Sequence, residues 1–276
     1  MNLALELYID FVIFLFGITI GSFANVCIWR IPQDKSVVLP PSACPKCGTK
    51  IRWYDNIPLV SYMLLWGRCR VCKEKISLRY PFVELLTGIV FLLIYLKYGA
   101  SLITIAYLLF ATGLIISSFI DIDYMIIPDR FSIGGMIAGL LISTLLPALH
   151  NSDLTKITID NCYIGFKLSL IGLIIGTLLL FFVAKIGSAF FKKEAMGLGD
   201  VKLLGAIGAF TGWQGVIFTV MFSSVIGALC GISFVLFGNK KMGSRIPFGP
   251  YLALSAILWI LAGKELWNWY FKWLMR

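Results

Sequence analysis

Four cysteines and four aspartates carry the residue types from which chemistry can be built. Cys44-Pro-Lys-Cys47 and Cys69-Arg-Val-Cys72 are separated by the stretch Gly48 to Arg68. Each C-x-x-C turn lets two thiolates meet one metal, and two such turns complete a tetrahedral sulfur shell with no open position. The spacing predicts a structural zinc site that folds a loop too small to build a core. A redox pair would not need the second C-x-x-C. The remaining Cys27, Cys162 and Cys230 lie in or beside apolar segments, where a free thiol behaves as a small hydrophobe.

The aspartates fall in two groups. Phe119-Ile-Asp121-Ile-Asp123-Tyr-Met-Ile-Ile-Pro128-Asp129 follows one apolar run, and Met196-Gly197-Leu-Gly199-Asp200-Val-Lys202-Leu opens another. Glycines at 197 and 199 let the backbone approach a neighbour closely. Two carboxyl groups converging from different helices are what aspartyl hydrolysis requires: one accepts a proton from water while the other, protonated, hydrogen-bonds the scissile carbonyl. Such a pair cannot readily ionise twice and titrates as a unit. Asp121 and Asp200 are the expected catalytic pair. Asp123 and Asp129 have a second reading as helix caps, Asp129 standing where an N-terminal carboxylate is favourable. The D-I-D acids have an alternative too, as a magnesium site for a membrane lipid phosphotransferase; chelation would stop that activity and spare an aspartyl hydrolase. No serine, histidine and acid constellation competes. The only histidine, His150, falls in a loop and reads as a solvated surface residue.

The elements that must position these groups are membrane helices. Of 276 residues, 59% are hydrophobic and only 14% charged, against about a quarter charged in a soluble domain; mean hydropathy is +0.89. A hydrocarbon core needs about 20 apolar residues in helical form. Uncharged runs cover 11–29, 98–120, 131–152, 168–184, 203–239 and 246–263, and 79–97 adds another with Glu84 near its start. The run 203–239 is long enough for two crossings, with a turn signal at Gly212-Trp-Gln-Gly215. The expectation is an α-helical polytopic membrane protein of about eight transmembrane helices with a small cytosolic zinc-binding loop domain. Residues 1–29 form the first helix, 30–78 the zinc-binding domain with its four cysteines, and 79–276 the transmembrane domain that carries the aspartates. No internal repeat is visible, and Met1 to Ile20, lacking a basic start, reads as a retained helix rather than a cleaved signal.

Ten of the 24 basic residues lie between Arg30 and Arg79. That clustering marks a cytosolic loop rather than a nucleic-acid surface. With the N-terminus outside, counting crossings puts Asp121–Arg130, Lys185–Lys202 and Lys240–Arg245 in the cytosol, and Leu149–Cys162 outside. Both aspartate groups therefore share one side and one depth. A transporter would place its acids nearer the midplane, and a scaffold would not need the pair.

The same residues resemble the type IV prepilin leader peptidases, which are also N-methyltransferases. The resemblance runs through Gly21-Ser-Phe-Ala-Asn-Val-Cys-Ile-Trp-Arg-Ile-Pro32, the cysteine loop, Trp53-Tyr-Asp-Asn-Ile-Pro58 and Arg79-Tyr-Pro-Phe-Val-Glu84. It continues through Asp121 to Asp129, Gly197 to Lys202 and Pro247-Phe-Gly-Pro-Tyr251. It implies a bacterial inner-membrane G-x-G-D aspartyl protease that cuts the basic leader of type IV prepilins or type II secretion pseudopilins on the cytosolic side. It then implies methylation of the new N-terminus with S-adenosylmethionine. By motif position the catalytic residues are Asp121 and Asp200, with Asp123, Asp129, Gly197, Gly199 and Lys202 supporting. The cysteine loop goes with methyl transfer, and no residues are assigned to the methyl donor. Asp34, Asp55, Glu74 and Glu84 are candidates to meet the leader's positive charge.

Overall fold

The structure is a computed structural model that describes residues 3–150, 154, 156–192, 196–237 and 247–275. Among these, regular structure is helical apart from two isolated antiparallel bridges. The expected loop Lys240–Arg245 lies outside the described residues, as do parts of the loops Leu149–Cys162 and Lys185–Lys202. The chain divides into two compact units, Met1–Thr104 and Ile105–Arg276.

In the first unit, α1 (Leu3–Arg30) packs along α3 (Arg79–Tyr98). The seam is made by small residues: a methyl group at Gly21 would lie 2.7 Å from the Glu84 Cα, and one at Gly17 would lie 2.8 Å from the Gly88 Cα. Close backbone approach of this kind is how helices associate where lipid removes the hydrophobic driving force. Between the two helices the chain makes the cysteine loop and one short helix, α2 (Val60–Leu64). Only Ser61 and Gly67 are buried between Ile31 and Leu78, so this loop has no hydrophobic core of its own.

The second unit holds α4 (Leu102–Tyr124) from Ile105 onward, α5 (Asp129–Leu145), α6 (Ile159–Phe191), α7 (Leu198–Phe237), α8 (Gly249–Leu258) and α9 (Lys264–Leu274). A π-helical turn, Trp259–Gly263, joins the last two. The Thr158 hydroxyl caps α6 by accepting the Asn161 N–H at 3.3 Å. α6 and α7 meet through glycines, since a methyl at Gly172 would collide with the Gly208 carbonyl oxygen and one at Gly176 with that of Leu204. α7 breaks at Gly212 (φ 72°, ψ 179°), a left-handed φ that glycine adopts without strain. The turn signal read in the sequence is therefore a real interruption.

By length and composition five of these helices, α1, α3, α4, α6 and α7, can cross a membrane, so the protein is a multi-pass membrane protein. The count of eight goes further than this. It requires the two halves of α7 to cross separately, and also α5, which has 17 residues, and the α8–α9 segment, whose first part has 10.

Candidate active site

The sequence around Asp121 dictates its own turn. Pro128 disfavours a helical conformation for the residue before it, so α4 ends at Tyr124, Met125 takes a left-handed φ of 56°, and the chain runs on to α5 from an extended Pro128. The Met125 N–H closes the helix on the Asp121 carbonyl at 2.9 Å. Asp121 thus sits in the last turn of α4 and Asp200 in the first turn of α7. Both line one cavity of about 260 Å³, together with Asp129, Gly197, Gly199, Lys202 and Ile127.

Ile127 holds the three converging segments together. A methyl at Gly199 would stand 3.1 Å from the Ile127 Cβ, and one at Gly249 would stand 3.1 Å from its Cδ1 and 2.8 Å from Asp121 Oδ2. The glycines of two distant motifs are thus sites where a side chain from the D-I-D loop and a backbone touch. Gly197 is different, because the nearest atom to a methyl there, Asp200 Oδ2, is 3.6 Å away, an ordinary contact. Overpacking costs about 1–3 kcal/mol. Gly199→Ala is accordingly expected to reduce turnover strongly and Gly197→Ala only slightly, as read by catalytic rates of purified variants; equal losses would sink this account of the motif.

The two carboxyl groups are buried, Asp121 at 6% and Asp200 at 9% exposure, and they differ in their partners. Asp121 Oδ2 accepts the backbone N–H of Gly249 at 3.0 Å. That N–H belongs to the first turn of α8, whose donors have no partner within the helix, and the positive end of the helix dipole faces the carboxylate. Asp200 Oδ1 is buried and has no hydrogen-bond partner among the described residues. A buried oxygen left open costs free energy unless something meets it.

The other sequence candidates separate. Asp129 opens α5 and pairs with Lys202 at 2.7 Å, with side-chain exposures of 61% and 38%. The pair ties α5 to α7 at the cavity rim; an exposed pair of this kind stabilises by about 0–1 kcal/mol. Asp123 is exposed and does not line the cavity, so the two D-I-D acids do not face one point. Gly249 is the residue the sequence argument did not single out. The signal was present: Pro250 follows it and has no N–H of its own, a position proline favours at a helix start.

His150 corrects an expectation. It is not a solvated surface residue; burial and the nearby Lys264 charge hold its imidazole down to about 4. Its Nε2 lies 3.0 Å from Ser143 Oγ, which looks like a nucleophile and base. The Ser143 hydroxyl, however, donates to the Ala209 carbonyl at 3.1 Å and is fully buried. The ring therefore donates to the serine oxygen, the reverse of what nucleophile activation needs. This contact is structural, beside a second cavity of about 340 Å³ lined by Trp213, Trp259 and Trp267.

In the first unit the four cysteine sulfurs all lie within 4.8 Å of one another. Cys44 Sγ and Cys72 Sγ are 3.8 Å apart, which matches the edge of about 3.8 Å that tetrahedral ligands make at a Zn–S length of about 2.3 Å. The two turns share one design. Cys44 N–H bonds the Thr49 carbonyl and Gly48 N–H the Cys44 carbonyl; Cys69 N–H bonds that of Glu74 and Lys73 N–H that of Cys69. Gly48 and Lys73 both take a left-handed φ, 69° and 60°, so a short repeat is present that side-chain identity conceals. The Cys47 thiol donates to the Thr49 hydroxyl at 3.3 Å. The donor set fits zinc.

Two of the acids considered for leader recognition are already engaged. Asp55 is gripped by Arg70 through Nε and Nη2, which holds its carboxyl below the usual range. Glu84 is buried and accepts the Leu59 N–H at 2.8 Å.

Comparison with known proteins bears on both units. Residues 15–98 match the bacterial peptidase A24 N-terminal domain, and residues 108–232 match the type IV leader peptidase family. A prepilin leader peptidase/N-methyltransferase of Aeromonas salmonicida is 34% identical over 94% of this chain and 92% of its own length. That of Pseudomonas aeruginosa is 34% identical over 91% and 90%. A type 4 prepilin-like proteins leader peptide-processing enzyme of Escherichia coli is 35% identical over 87% and 89%. No solved structure gives a significant match. Likeness of this degree runs nearly end to end and takes in both the cysteine loop and the aspartate cavity, so the chain belongs to the type IV leader peptidase family.

Proposed function

We infer that this protein is a bifunctional prepilin peptidase, cleaving the leader of prepilins or pseudopilins and N-methylating the new terminus. The observation that carries the peptidase reading is that two buried aspartates from different helices, Asp121 and Asp200, line one cavity in a chain of this family. In this reading the pair activates water. One carboxylate takes the proton as the water oxygen attacks the scissile carbonyl, and the other donates a hydrogen bond to the developing oxyanion and later a proton to the leaving amine. Asp121 is oriented by the Gly249 N–H, and the buried Asp200 Oδ1, without a hydrogen-bond partner among the described residues, is left for substrate or water. Lys202 and Asp129 brace the rim.

The site is assigned to the cytosolic face of the inner membrane. Supporting this are the basic residues on its side of the second unit, Arg130, Lys185, Lys192 and Lys202, and the positive charge of the cysteine loop. Methyl transfer is assigned to the first unit, with S-adenosylmethionine as donor and a structural zinc held by Cys44, Cys47, Cys69 and Cys72. The lipid phosphotransferase alternative loses its basis, because Asp123 does not join Asp121 at the cavity.

Mass spectrometry of a co-expressed prepilin tests both activities together, through leader loss and the methyl mass increment. Brief chelator treatment of the purified enzyme should leave leader cleavage intact, because the closed sulfur shell has no position for substrate. Immediate loss of cleavage restored by magnesium would reject the aspartyl mechanism.

A further inference from the structure

α2 is built inside out for a segment in water. Val60, Met63 and Leu64 recur at i, i+3 and i+4 and so share one helix face, and Trp66 follows directly. Met63 is 66% exposed, Leu64 74% and Trp66 88%. The opposite side carries the polar contacts: the buried Ser61 hydroxyl donates to the Tyr54 carbonyl at 2.9 Å, and the Tyr62 hydroxyl to that of Ile76 at 3.3 Å. Gly67 N–H then bonds the Tyr62 carbonyl at 2.9 Å, leading straight into the Cys69 turn.

The depth of α2 is fixed by a separate contact. Glu84 accepts the N–H of Leu59, the residue that opens α2. Glu84 lies five residues past Arg79, the first residue of α3, which is about 7–8 Å along the helix axis. The carboxylate is pinned in turn by the tight α1–α3 seam at Gly21. The start of α2 is therefore held level with the first turns of a membrane-spanning helix, not out in the aqueous phase.

We propose that α2 and Trp66 form an interfacial wedge seated in the leaflet on the loop's side, so that the cysteine knuckle rides on the membrane surface. Interfacial helices bury an apolar face about 5–10 Å into the headgroup and acyl boundary and favour tryptophan there. Charge complementarity agrees: Arg30 to Arg79 holds ten Lys and Arg against Asp34, Asp55, Glu74 in the same stretch, suited to an anionic lipid surface. Where methyl transfer belongs to this unit, as proposed above, the wedge keeps that chemistry at the membrane, where a freshly cut N-terminus emerges.

The test uses the full chain in nanodiscs of phosphatidylcholine and phosphatidylglycerol, and reads lipid contact rather than activity. A benzophenone amino acid at position 64 should give covalent lipid adducts by mass spectrometry, several-fold above the same probe at position 46, on an exposed cysteine turn. Separately, bromines near the carbonyl end of the acyl chains should quench tryptophan more than bromines near the methyl end, and Trp66→Phe should reduce that difference. Equal adduct yields at the two positions with quenching unchanged by Trp66→Phe would overturn the wedge. So would adducts at position 64 that form with an added prepilin in place of lipid, which would make the face a substrate-docking surface. Neither result depends on Asp121 and Asp200 being catalytic.

Discussion

Asp121→Asn and Asp200→Asn are each expected to reduce leader cleavage by about 10²–10⁴-fold, the usual contribution of a positioned acid or base. The amide is close to isosteric, so helix packing and insertion survive. An asparagine oxygen can still accept the Gly249 N–H that now meets Asp121 Oδ2. What disappears is the capacity to take a proton from water or to hold one for the carbonyl. The contrasting variant is Asp123→Asn, which alters an exposed residue that does not line the cavity and should leave cleavage nearly unchanged. The measurement is the rate of leader removal by mass spectrometry on purified, correctly inserted variants with metal content recorded. Normal processing by both Asp121→Asn and Asp200→Asn would reject the dyad, and a loss in Asp123→Asn as deep as theirs would revive a D-I-D metal site.

The second large effect belongs to the cysteines. Cys44→Ser or Cys72→Ser should release the metal, open the loop 31–78 to proteolysis and abolish methylation, while leader cleavage persists. The reason is the near absence of a core. With only Ser61 and Gly67 buried in that stretch, no hydrophobic burial offsets the conformational entropy of ordering it. Structural zinc contributes about 10–16 kcal/mol of apparent folding free energy in comparable peptides. Cleavage should survive because both aspartates belong to the other compact unit, Ile105–Arg276. The expected product is a prepilin that has lost its leader but lacks the methyl increment. Unchanged methylation, metal content and protease resistance would count against a structural zinc.

Much of the architecture was readable in advance because the bilayer imposes a one-dimensional code. A span must be apolar for its whole length whatever surrounds it, so runs between charges foretold α3, α4, α6 and the interruption of α7 at Gly212. The gathering of the four cysteines was readable for a similar reason: a C-x-x-C turn brings two sulfurs together, and two such turns present four to one point. The short repeat in the two knuckles escaped notice because it lies in backbone conformation, with Gly48 and Lys73 in equivalent places.

The aspartates were only half legible. That Asp121 and Asp200 stand at helix ends follows from local sequence, but which carboxyls share a cavity depends on helix rotation. Asp121 and Asp123 are two residues apart and face different surroundings, which no composition argument separates. The Gly249 contact joins positions 128 residues apart and exists because α4, α7 and α8 converge on Ile127. His150 went the same way, from apparent surface residue to half-buried donor, because Gly212 leaves room for an imidazole that a side chain would meet at 3.3 Å.

The amino-acid order alone thus determined a membrane-spanning helical protein with a sulfur knuckle and acids at span ends, since hydropathy, charge and ligand spacing are properties of consecutive residues. Tertiary structure decided which of those acids meet, what orients them and where α2 lies. Those outcomes rest on contacts between residues far apart in the chain, and contact depends on the rotation and close approach of whole helices.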